Sequence, residues 1–555
     1  MEITVKQISS LEKVRRGDEP NHPQRNSRLA LPGERVSYQL YLDANDQTVA
    51  HLRVKSQLAD SVRIYRVQEV MMDRPVVVEC PKEDYITQEP GLMPDALIPL
   101  EESGMQIYLD KIPHTLWVKV DIPADTKPGS YPVEIELEFV RPGGEPVETR
   151  SATMDITVLA TPMPEQKLKY TRWMYLDCIA TVHNAEIFSE KHWSLIGKYI
   201  QAARDVGINM LMVPVHTPPL DTEIGTARPC VQLVDMEKTG DTYRFGFEKF
   251  HRYIALCKKY GIRYFEMAHM FTQWGAKCTP NIRVTENGET GYKFGWHVPS
   301  SDPEYVAFLK QYIPAIVAEL KQEGIAENTY FHISDEPFLK DEETYRNAKN
   351  LLRPLIGNCK TIDALSEYEF YEKGLVECPA TIISNIHQFL EHDIPNQWVY
   401  YCCGPVSVYP NIFMALPSYR VRVLGFMMYK YGIEGLLHWG FNFYNAIRSV
   451  YPINPYLTTS SDGAFPSGDP FIVYPGQDAV YPSIRGEVLY EAIQDMDICY
   501  ALEEKIGKEA VVQLIDEAAV TPLRFDTYPK NNEFLLNLRQ KLLEKAFKIR
   551  NEVNQ

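Results

Sequence analysis

Residues 329–337 read TYFHISDEP. A short run of aromatic and β-branched residues is stopped by two acids and a proline, which predicts a buried strand ending at Asp335-Glu336-Pro337. Because proline cannot donate to a strand ladder, both carboxyl groups are expected at the carboxyl end of that strand. Short apolar runs that end in polar residues recur along the chain.

Seven further runs of this kind alternate with amphipathic stretches that predict helices. Eight alternations of strand and helix predict a closed, parallel (β/α)8 barrel of the TIM type. A doubly wound open sheet is the structural alternative, because the units around the fifth and sixth strands are the least regular. The predicted strands cover 169–177, 209–215, 263–270, 329–337, 360–366, 380–386, 397–405 and 434–442.

Up to about residue 160, short alternating runs broken by turn residues predict an all-β sandwich. Tyr131-Pro132 within one run predicts an edge strand, since proline lacks the amide hydrogen that a central strand uses. TPMPEQK, rich in proline and polar residues, begins a linker. The expected organisation is a sandwich over 1–160, a linker over 161–168, and a barrel with a C-terminal helical extension over 169–555.

Bulk composition excludes several classes of partner. The formal net charge of −17 argues against nucleic acid and anionic membrane, because both require clustered Lys and Arg. No window approaches the roughly 20 apolar residues of a membrane span, so no membrane insertion is predicted. The opening MEITVKQISS does not resemble a secretory signal, and we therefore expect a cytoplasmic protein with a neutral substrate.

Neither a metal nor a nucleotide cofactor is predicted. The sequence has no GxxxxGK loop and no GxGxxG after a strand. Its ten cysteines lack CxxC spacing, and the vicinal Cys402-Cys403 pair is interpreted as packing within a strand. The histidines show no HxH or HExxH spacing, which favours buried imidazoles or hydrogen bonds to a sugar over a metal cluster; the four considered are His183, His216, His269 and His438.

Polar residues at the carboxyl ends of barrel strands form the candidate site, because barrel enzymes place their catalytic groups there. The two acids after the fourth strand are the predicted catalytic pair, Asp335 and Glu336. The predicted substrate-binding residues are Arg172, Tyr175, His216, His269, Asn385, Tyr401, His438, Trp439, Asn442 and Tyr444. Among the aromatic side chains, Trp439 is the favoured sugar platform, since flat rings suit the apolar face of a pyranose.

Glycoside hydrolysis needs one protonated carboxyl group for the leaving oxygen and a second group that stabilises the developing positive charge. Two adjacent acids can divide these roles, because ionised Asp335 favours the protonated form of Glu336. The structural alternative is that both acids cap a helix beginning at Pro337. The next clearly helical run starts near Asp341, which argues against a cap.

The seventh strand discriminates between mechanisms. Barrel glycosidases that resemble the large cellulase and galactosidase group end this strand with a nucleophilic Glu, whereas WVYYCCGP, residues 398–405, contains no acid. Without an enzyme nucleophile, the 2-acetamido oxygen of the substrate can attack the anomeric carbon. Asp335 would then orient the acetamido N–H while Glu336 acts as general acid and then base, with retention of configuration.

Three segments together resemble glycoside hydrolase family 123 and its C-terminal domain of unknown function 4091. They are ISDEP at 333–337, YGIEGLLHWGFNFYN at 431–445, and DGAFPSGDPFIVYPGQDAVYPSIRGEVLYEAIQDMD at 462–497. The resemblance implies a β-N-acetylgalactosaminidase with a sandwich before a barrel, using Asp335 and Glu336 in substrate-assisted catalysis. Within the third segment a structural role is expected, with Arg485 pairing an acid.

Two other functions compete with this expectation. One is a β-N-acetylglucosaminidase with the same machinery, because the galacto configuration rests on the resemblance alone. The other is a carbohydrate-binding barrel protein without catalysis. In each case the partner is a carbohydrate, such as a glycan or glycolipid with a terminal β-linked amino sugar, and homo-oligomerisation is left open.

Overall fold

The computed structural model describes residues 1–20, 24–76 and 85–553, and begins with a β-sandwich. Its ten strands are β1 (Ile3–Ser9), β2 (Ser27–Ala30), β3 (Arg35–Ala44), β4 (Thr48–Lys55), β5 (Val62–Met72), β6 (Gly91–Pro99), β7 (Gln106–Leu109), β8 (His114–Asp121), β9 (Gly129–Val140) and β10 (Pro146–Val158). One sheet has the order β1-β3-β8-β5-β6 and the other β2-β10-β9-β4-β7. Alternate residues of β9, from Val133 to Phe139, face the core between the sheets.

The prediction that Pro132 marks an edge strand is wrong. Strand β9 lies between β10 and β4 in its sheet. Pro132 pairs with Asp155 of β10, but pairing of β9 with β4 extends only to Glu134, opposite Lys55. Pro132 therefore lies beyond the part of β9 that is paired on both sides, where hydrogen bonds are needed only towards β10.

The predicted (β/α)8 barrel is confirmed. Eight parallel strands close on themselves because β22 pairs with β11, with His438 opposite Arg172, and this excludes the open sheet. The barrel strands are β11 (Lys169–Arg172), β12 (Met210–Val213), β15 (Tyr264–Met267), β18 (Thr329–Phe331), β19 (Lys360–Leu365), β20 (Cys378–Ile382), β21 (Trp398–Tyr400) and β22 (Gly435–His438).

The helices surround the barrel and extend it at the C-terminus. They are α1 (Leu176–Val182), α2 (Glu190–Asp205), α3 (Glu248–Lys259), α4 (Pro303–Gln322), α5 (Glu342–Leu352), α6 (Tyr368–Glu372), α7 (Ile386–Leu390), α8 (Tyr419–Arg422), α9 (Leu424–Lys430), α10 (Ile484–Ile506), α11 (Lys508–Ala519) and α12 (Asn532–Val553). Helices α6 and α7 have five residues each, too few for a clear 3.6-residue period. This explains why the fifth and sixth units were the least regular in the sequence. Among the described residues, no helix combines the length and apolar composition needed to cross a membrane.

Two small sheets come from connections that the sequence analysis left unassigned. Strands β13 (Asp235–Thr239), β14 (Thr242–Gly246), β16 (Ile282–Glu286) and β17 (Glu289–Phe294) form a four-stranded sheet in the segments after β12 and β15. Strands β23 (Tyr474–Pro475) and β24 (Val480–Tyr481) form a hairpin before α10.

Helix α10 joins the sandwich to the barrel and is buried on nearly every side. The Arg485 guanidinium at its start binds the Asp95 carboxylate of β6, with an N–O distance of 2.8 Å and both groups buried, as predicted for this arginine. The Leu97 amide also donates to the Pro482 carbonyl oxygen. Both contacts fix the sandwich against the segment that leads from β22 to α10.

Candidate active site

A cavity of about 180 Å³ opens at the carboxyl ends of the barrel strands. Three acids line it, Asp221, Asp335 and Glu336. Half of the other lining residues are aromatic: Trp173, Trp274, Tyr400, Tyr401, Trp439 and Phe465. A small cavity with flat apolar walls and few carboxyl groups has the size and chemistry of a sugar site.

The two carboxyl groups after β18 are partly exposed to this cavity but differ in their hydrogen bonds. The Tyr400 hydroxyl donates to Glu336 Oε1 over 2.7 Å, which fixes one oxygen of that carboxyl group. The backbone carbonyl oxygen of Asp335 accepts a hydrogen bond from the Trp274 amide. Within the described part of the chain, no donor forms a hydrogen bond with the Asp335 carboxylate. Asp335 therefore keeps its acceptor capacity for a ligand.

Burial has a strong effect on the ionisation of Asp335. Desolvation, followed by the neighbouring charge of Glu336 and then that of Asp221, raises the pKa of Asp335 well above its usual range. A ligand that donates a hydrogen bond to this carboxylate would favour its ionised form. The cavity thus holds an acid whose protonation responds to what is bound.

Neither acid caps a helix, so the structural alternative considered for the sequence does not hold. A 3₁₀ turn, Leu339–Asp341, follows Pro337, and α5 starts only at Glu342. No side-chain capping hydrogen bond is made at the start of either element.

Asp221, in the long segment after β12, is a third acid at the cavity. The Tyr175 hydroxyl donates to Asp221 Oδ2 over 2.8 Å. Burial raises the pKa of Asp221, and the hydrogen bond from Tyr175 opposes that shift. Asp221 is thus anchored by the first barrel unit, although it belongs to the second.

Backbone strain is present in the cavity wall. Three of its lining residues have left-handed backbone conformations that are rare outside glycine, Asp221 with φ of 52°, Trp274 with 59° and Glu336 with 43°. Such conformations persist only where the surrounding contacts enforce them, and they occur preferentially at functional sites.

Trp439, which follows β22, is fixed by a buried carboxylate. Its indole Nε1 donates to Asp469 Oδ2 over 2.9 Å, and His438 Nε2 lies 3.2 Å from Asp469 Oδ1. Burial raises the pKa of Asp469 to about 7. Gly440 permits this arrangement, because a Cβ there would lie 2.6 Å from the Asp469 carbonyl oxygen.

The sandwich also supports the cavity wall. Asp73, just after β5, accepts hydrogen bonds from the Thr458 hydroxyl over 2.7 Å and the Thr459 amide over 2.9 Å, and also from the Ser460 hydroxyl. These residues begin the loop that carries Phe465 to the cavity. An N-terminal residue thereby holds part of the barrel's site in place.

A sealed polar cluster lies in the barrel interior near the cavity floor. The His332 imidazole lies between Glu266 and Asp363, with N–O distances of 2.7 Å and 3.2 Å. Burial alone would lower the pKa of His332, but the hydrogen bonds and charges of both carboxylates raise it to about 9. The ring stacks on His269 at 4.1 Å, and both imidazoles meet the edge of the Trp173 ring at the cavity.

His269, His332 and Asp363 lie close enough together to be considered as metal ligands. Both nitrogens of His332 already face carboxylates, however, and an imidazolium has no lone pair for a metal ion. The rings of His269 and His332 are also stacked, so their in-plane lone pairs point in parallel planes and do not converge on one metal ion. An ion-paired imidazolium therefore explains this cluster better than a metal site.

The sequence matches the model of the glycoside hydrolase 123 catalytic domain over residues 173–502. The chain belongs to glycoside hydrolase family 123. It is thus a glycosidase, and its substrates are carbohydrates. Among curated proteins, no sequence matches it significantly.

One of the similar solved structures has the same fold. A family 123 glycoside hydrolase from Clostridium perfringens is similar with a TM-score of 0.72 and 15% identity, over 100% of this chain and 98% of that one. A β-glucuronidase from Bifidobacterium dentium has a TM-score of 0.32 and 9% identity, over 89% and 66% of the two chains. A family 5 glycoside hydrolase from Bacteroides vulgatus has a TM-score of 0.32 and 12% identity, over 65% and 69%. The last two similarities are too low to support an argument.

Four of the residues predicted from the sequence line the cavity of this family 123 enzyme, Asp335, Glu336, Tyr401 and Trp439. Four others lie behind the cavity wall and contact a lining residue or a residue bonded to one. These contacts are Arg172 with Tyr401, Tyr175 with Asp221, His438 with Asp469, and His269 with Trp173. The remaining four make structural hydrogen bonds to the backbone. His216 is bonded to the His269 carbonyl oxygen and Asn385 to the Ser366 carbonyl oxygen. Asn442 is bonded to the Tyr175 backbone and Tyr444 to the Val473 carbonyl oxygen.

Several lining residues were not selected from the sequence. Trp173, Gln273, Trp274 and Tyr400 follow or end barrel strands, so their positions carried a usable signal. Cys402 and Cys403, interpreted as strand packing, lie beyond the end of β21 and line the cavity, with their sulfur atoms 4.0 Å apart. Asp221 and Phe465 had no local signal, because both reach the cavity from long connections.

A larger concavity of about 650 Å³ lies over the four-stranded sheet, where Arg244, Arg283 and Glu237 are among the residues that line it. No described barrel strand contributes to it, and the strained, partly buried acids of the smaller cavity have no counterpart there. Size alone therefore does not locate the glycosidase site.

Proposed function

We propose that this family 123 glycosidase removes terminal β-linked N-acetylgalactosamine with retention of configuration, using the 2-acetamido group of the substrate as nucleophile. The observation that carries the proposal is the difference between two adjacent carboxyl groups. Glu336 is held by Tyr400, whereas the Asp335 carboxylate has no protein donor among the described residues and faces the same cavity.

In the proposed first step, Glu336 donates its proton to the glycosidic oxygen as the bond to the anomeric carbon breaks. The acetamido carbonyl oxygen attacks that carbon, and a cyclic oxazolinium forms. Asp335 accepts a hydrogen bond from the acetamido N–H and stabilises the positive charge. Glu336 then removes a proton from water, which opens the ring from the same face as the departed group.

The cavity walls support an acetamido sugar. Trp173, Trp274, Trp439 and Tyr401 offer flat apolar surfaces to a pyranose face and to an acetamido methyl group. Strand β21 ends at Tyr400 and is followed by Tyr401, Cys402 and Cys403, so no carboxylate stands where a seventh-strand nucleophile would lie.

Asp221 supports a competing mechanism. As a third acid at the cavity, it could activate water on the face opposite the leaving group, as the base of an inverting glycosidase does. Its hydrogen bond from the Tyr175 hydroxyl already occupies one carboxylate oxygen, which favours a positioning role over that of a base. The stereochemistry of the product separates the two mechanisms.

The identity of the sugar rests on family membership. The similar Clostridium perfringens enzyme is reported to hydrolyse glycolipid glycans, and an amino sugar at the end of such a glycan is the substrate class we propose here. The substrate of a β-N-acetylglucosaminidase differs from this one only in the configuration at one hydroxyl group, and such an enzyme is one competitor. A carbohydrate-binding protein without catalysis is the other competitor.

The test compares the 4-nitrophenyl β-glycosides of N-acetylgalactosamine, N-acetylglucosamine and galactose. We expect the first to be hydrolysed fastest, galactoside to be inert because it lacks the acetamido nucleophile, and a thiazoline mimic of the cyclic intermediate to inhibit strongly. NMR of the first product should show the β-anomer. Equal cleavage of the galactoside, or an α-anomer, would refute substrate assistance, whereas faster cleavage of the glucosamine derivative would refute the galacto assignment.

A further inference from the structure

An exposed apolar patch lies beside the sugar cavity. Residues 447–457, IRSVYPINPYL, expose Ile447, Val450, Tyr451 and Leu457, and Ile224 on the segment after β12 is also exposed. These five side chains, here called the rim patch, are between 45% and 69% exposed and make up five of the thirteen large apolar side chains that the described residues expose. Concentrated apolar exposure of this kind marks an interaction surface, whereas single exposed residues are ordinary.

The rim patch is displayed by a defined turn. The Ala446 amide donates to the Tyr451 carbonyl oxygen over 2.9 Å, which closes the loop between them. Arg448 and Ser449 inside it take left-handed conformations, with φ of 56° and 57°. Strained residues held by hydrogen bonds indicate a defined loop conformation, so the exposure of the apolar side chains is a property of the fold.

The same turn is bonded to the cavity wall. The Ser449 hydroxyl donates to the Asp221 carbonyl oxygen over 2.7 Å, and the Glu223 amide donates to the Arg448 carbonyl oxygen over 2.9 Å. Asp221 itself lines the sugar cavity. A partner seated on the rim patch would therefore lie beside the entrance that the sugar must use.

Residues 447–457 contain a single charged side chain, Arg448, although the whole chain has a net charge of −17. Arg448 lies 3.3 Å from Glu223, and the Tyr451 hydroxyl donates to Asp462. The patch therefore presents apolar and aromatic side chains without a cluster of cationic groups. A neutral or zwitterionic surface matches it better than an anionic one, which the rest of the protein would repel.

We propose that the rim patch docks the enzyme onto a zwitterionic lipid surface that displays its glycolipid substrate. The proposal rests on the proposed function for the nature of the substrate. Exposed apolar and aromatic side chains can insert into the headgroup region of a lipid surface, and binding grows with the apolar area buried. A second copy of the chain fits this position less well, because it would cover the cavity entrance beside Asp221.

The experiment uses the full chain and a double variant, Val450→Ser with Leu457→Ser, with Val520→Ser as the control. Val520 is the most exposed apolar side chain of the described residues and lies after α11, away from the barrel mouth. Co-sedimentation with phosphatidylcholine vesicles that contain no glycolipid measures docking alone. We expect binding by the wild type and by the control variant, and about tenfold weaker binding by the double variant, since each lost side chain removes buried apolar area.

Hydrolysis then links docking to activity. The double variant should cleave glycolipid in vesicles about tenfold more slowly than the wild type, and the soluble 4-nitrophenyl glycoside at the wild-type rate. Unchanged vesicle binding would overturn the proposal, and so would a variant whose only change is dissociation of a dimer in light scattering. Vesicle binding by a protein that hydrolyses no amino-sugar glycoside would support docking while refuting the proposed function, so the two failures are distinguishable.

Discussion

Asp335 and Asp363 are carboxyl groups of neighbouring barrel units with opposite hydrogen-bond surroundings. Asp335 follows β18 at the cavity, and no described donor bonds to its side chain. Asp363 lies within β19 and accepts hydrogen bonds from the Ile333 amide and the Tyr345 hydroxyl, beside the His332 imidazole. Burial raises the pKa of both groups, but donors oppose the shift mainly at Asp363.

The contrast separates an acid that lowers the stability of the folded chain from a cluster of acids that supports the cavity floor. A half-buried acid without donors destabilises the folded chain when it ionises, but its free acceptors are what a substrate N–H needs. The carboxylates of Glu266 and Asp363 are bound by the buried His332 imidazole, and that ring contacts the cavity wall at Trp173. Such a hydrogen-bonded cluster is expected to stabilise the floor of the cavity.

The largest expected effect is on turnover at the cavity pair. Replacing Glu336 by Gln removes the transferable proton while keeping a partner for the Tyr400 hydroxyl. General acid–base catalysis contributes about 10²–10⁴-fold, so kcat for a substrate with a poor leaving group should fall by that range. Measuring kcat and KM separately checks this, because KM should change little.

Glu343→Gln is the matched control for that substitution. Glu343 is exposed on α5, seven residues along the chain, and its replacement should leave kcat unchanged. Full activity of the Glu336→Gln variant would refute the role of Glu336 as acid and base.

The next effect is on stability, in the sealed cluster. Replacing His332 by Gln leaves Glu266 and Asp363 buried without their shared cation, which typically costs about 3–5 kcal/mol of unfolding free energy. His51→Gln, at an exposed site on β4, should cost almost nothing. Urea denaturation of both variants measures the difference, and equal losses would show that the cluster is not specifically stabilising.

The pH dependence of this contribution has a definite sign. The pKa of His332 rises from 6.5 to about 9 in the folded protein, so folding favours its protonated form. Its contribution to stability is complete below pH 6.5 and is lost as the pH rises through about 9. The difference in unfolding free energy between wild type and His332→Gln should therefore shrink over that interval.

The barrel and its catalytic pair could be predicted because their signals are local. Each barrel strand is a short apolar run ended by polar residues, and Asp335 and Glu336 are adjacent to one of these ends. The sequence does not determine whether a strand-end side chain faces the cavity or the barrel interior. Arg172 and His269 illustrate this, since both follow the predicted pattern and are buried behind the cavity wall.

Asp221 and Phe465 could not be predicted for a different reason. Asp221 lies eight positions beyond the end of β12, and the hydroxyl of Tyr175 from another unit holds it. Phe465 follows a loop bound by Asp73 of the sandwich, nearly four hundred positions earlier in the chain. Contacts at such sequence separation leave no periodic pattern, so only the folded chain reveals them.

The smallest effect tests the cost of an unpaired acid directly. Asp335→Asn should raise the unfolding free energy at pH 7 by about 0.5–2 kcal/mol, while Asp125→Asn, at an exposed site, should leave it unchanged. The folded-state pKa of Asp335 is raised, so the unfolded chain releases this proton first and stability falls as the pH rises above 3.8. Asparagine cannot ionise and removes that loss, so thermal denaturation at pH 5 and pH 7.5 should show the larger gain at the higher pH. A stability loss at both pH values would mean that Asp335 has a structural partner, and that the cavity acids and the sealed acids do not differ in their hydrogen bonds.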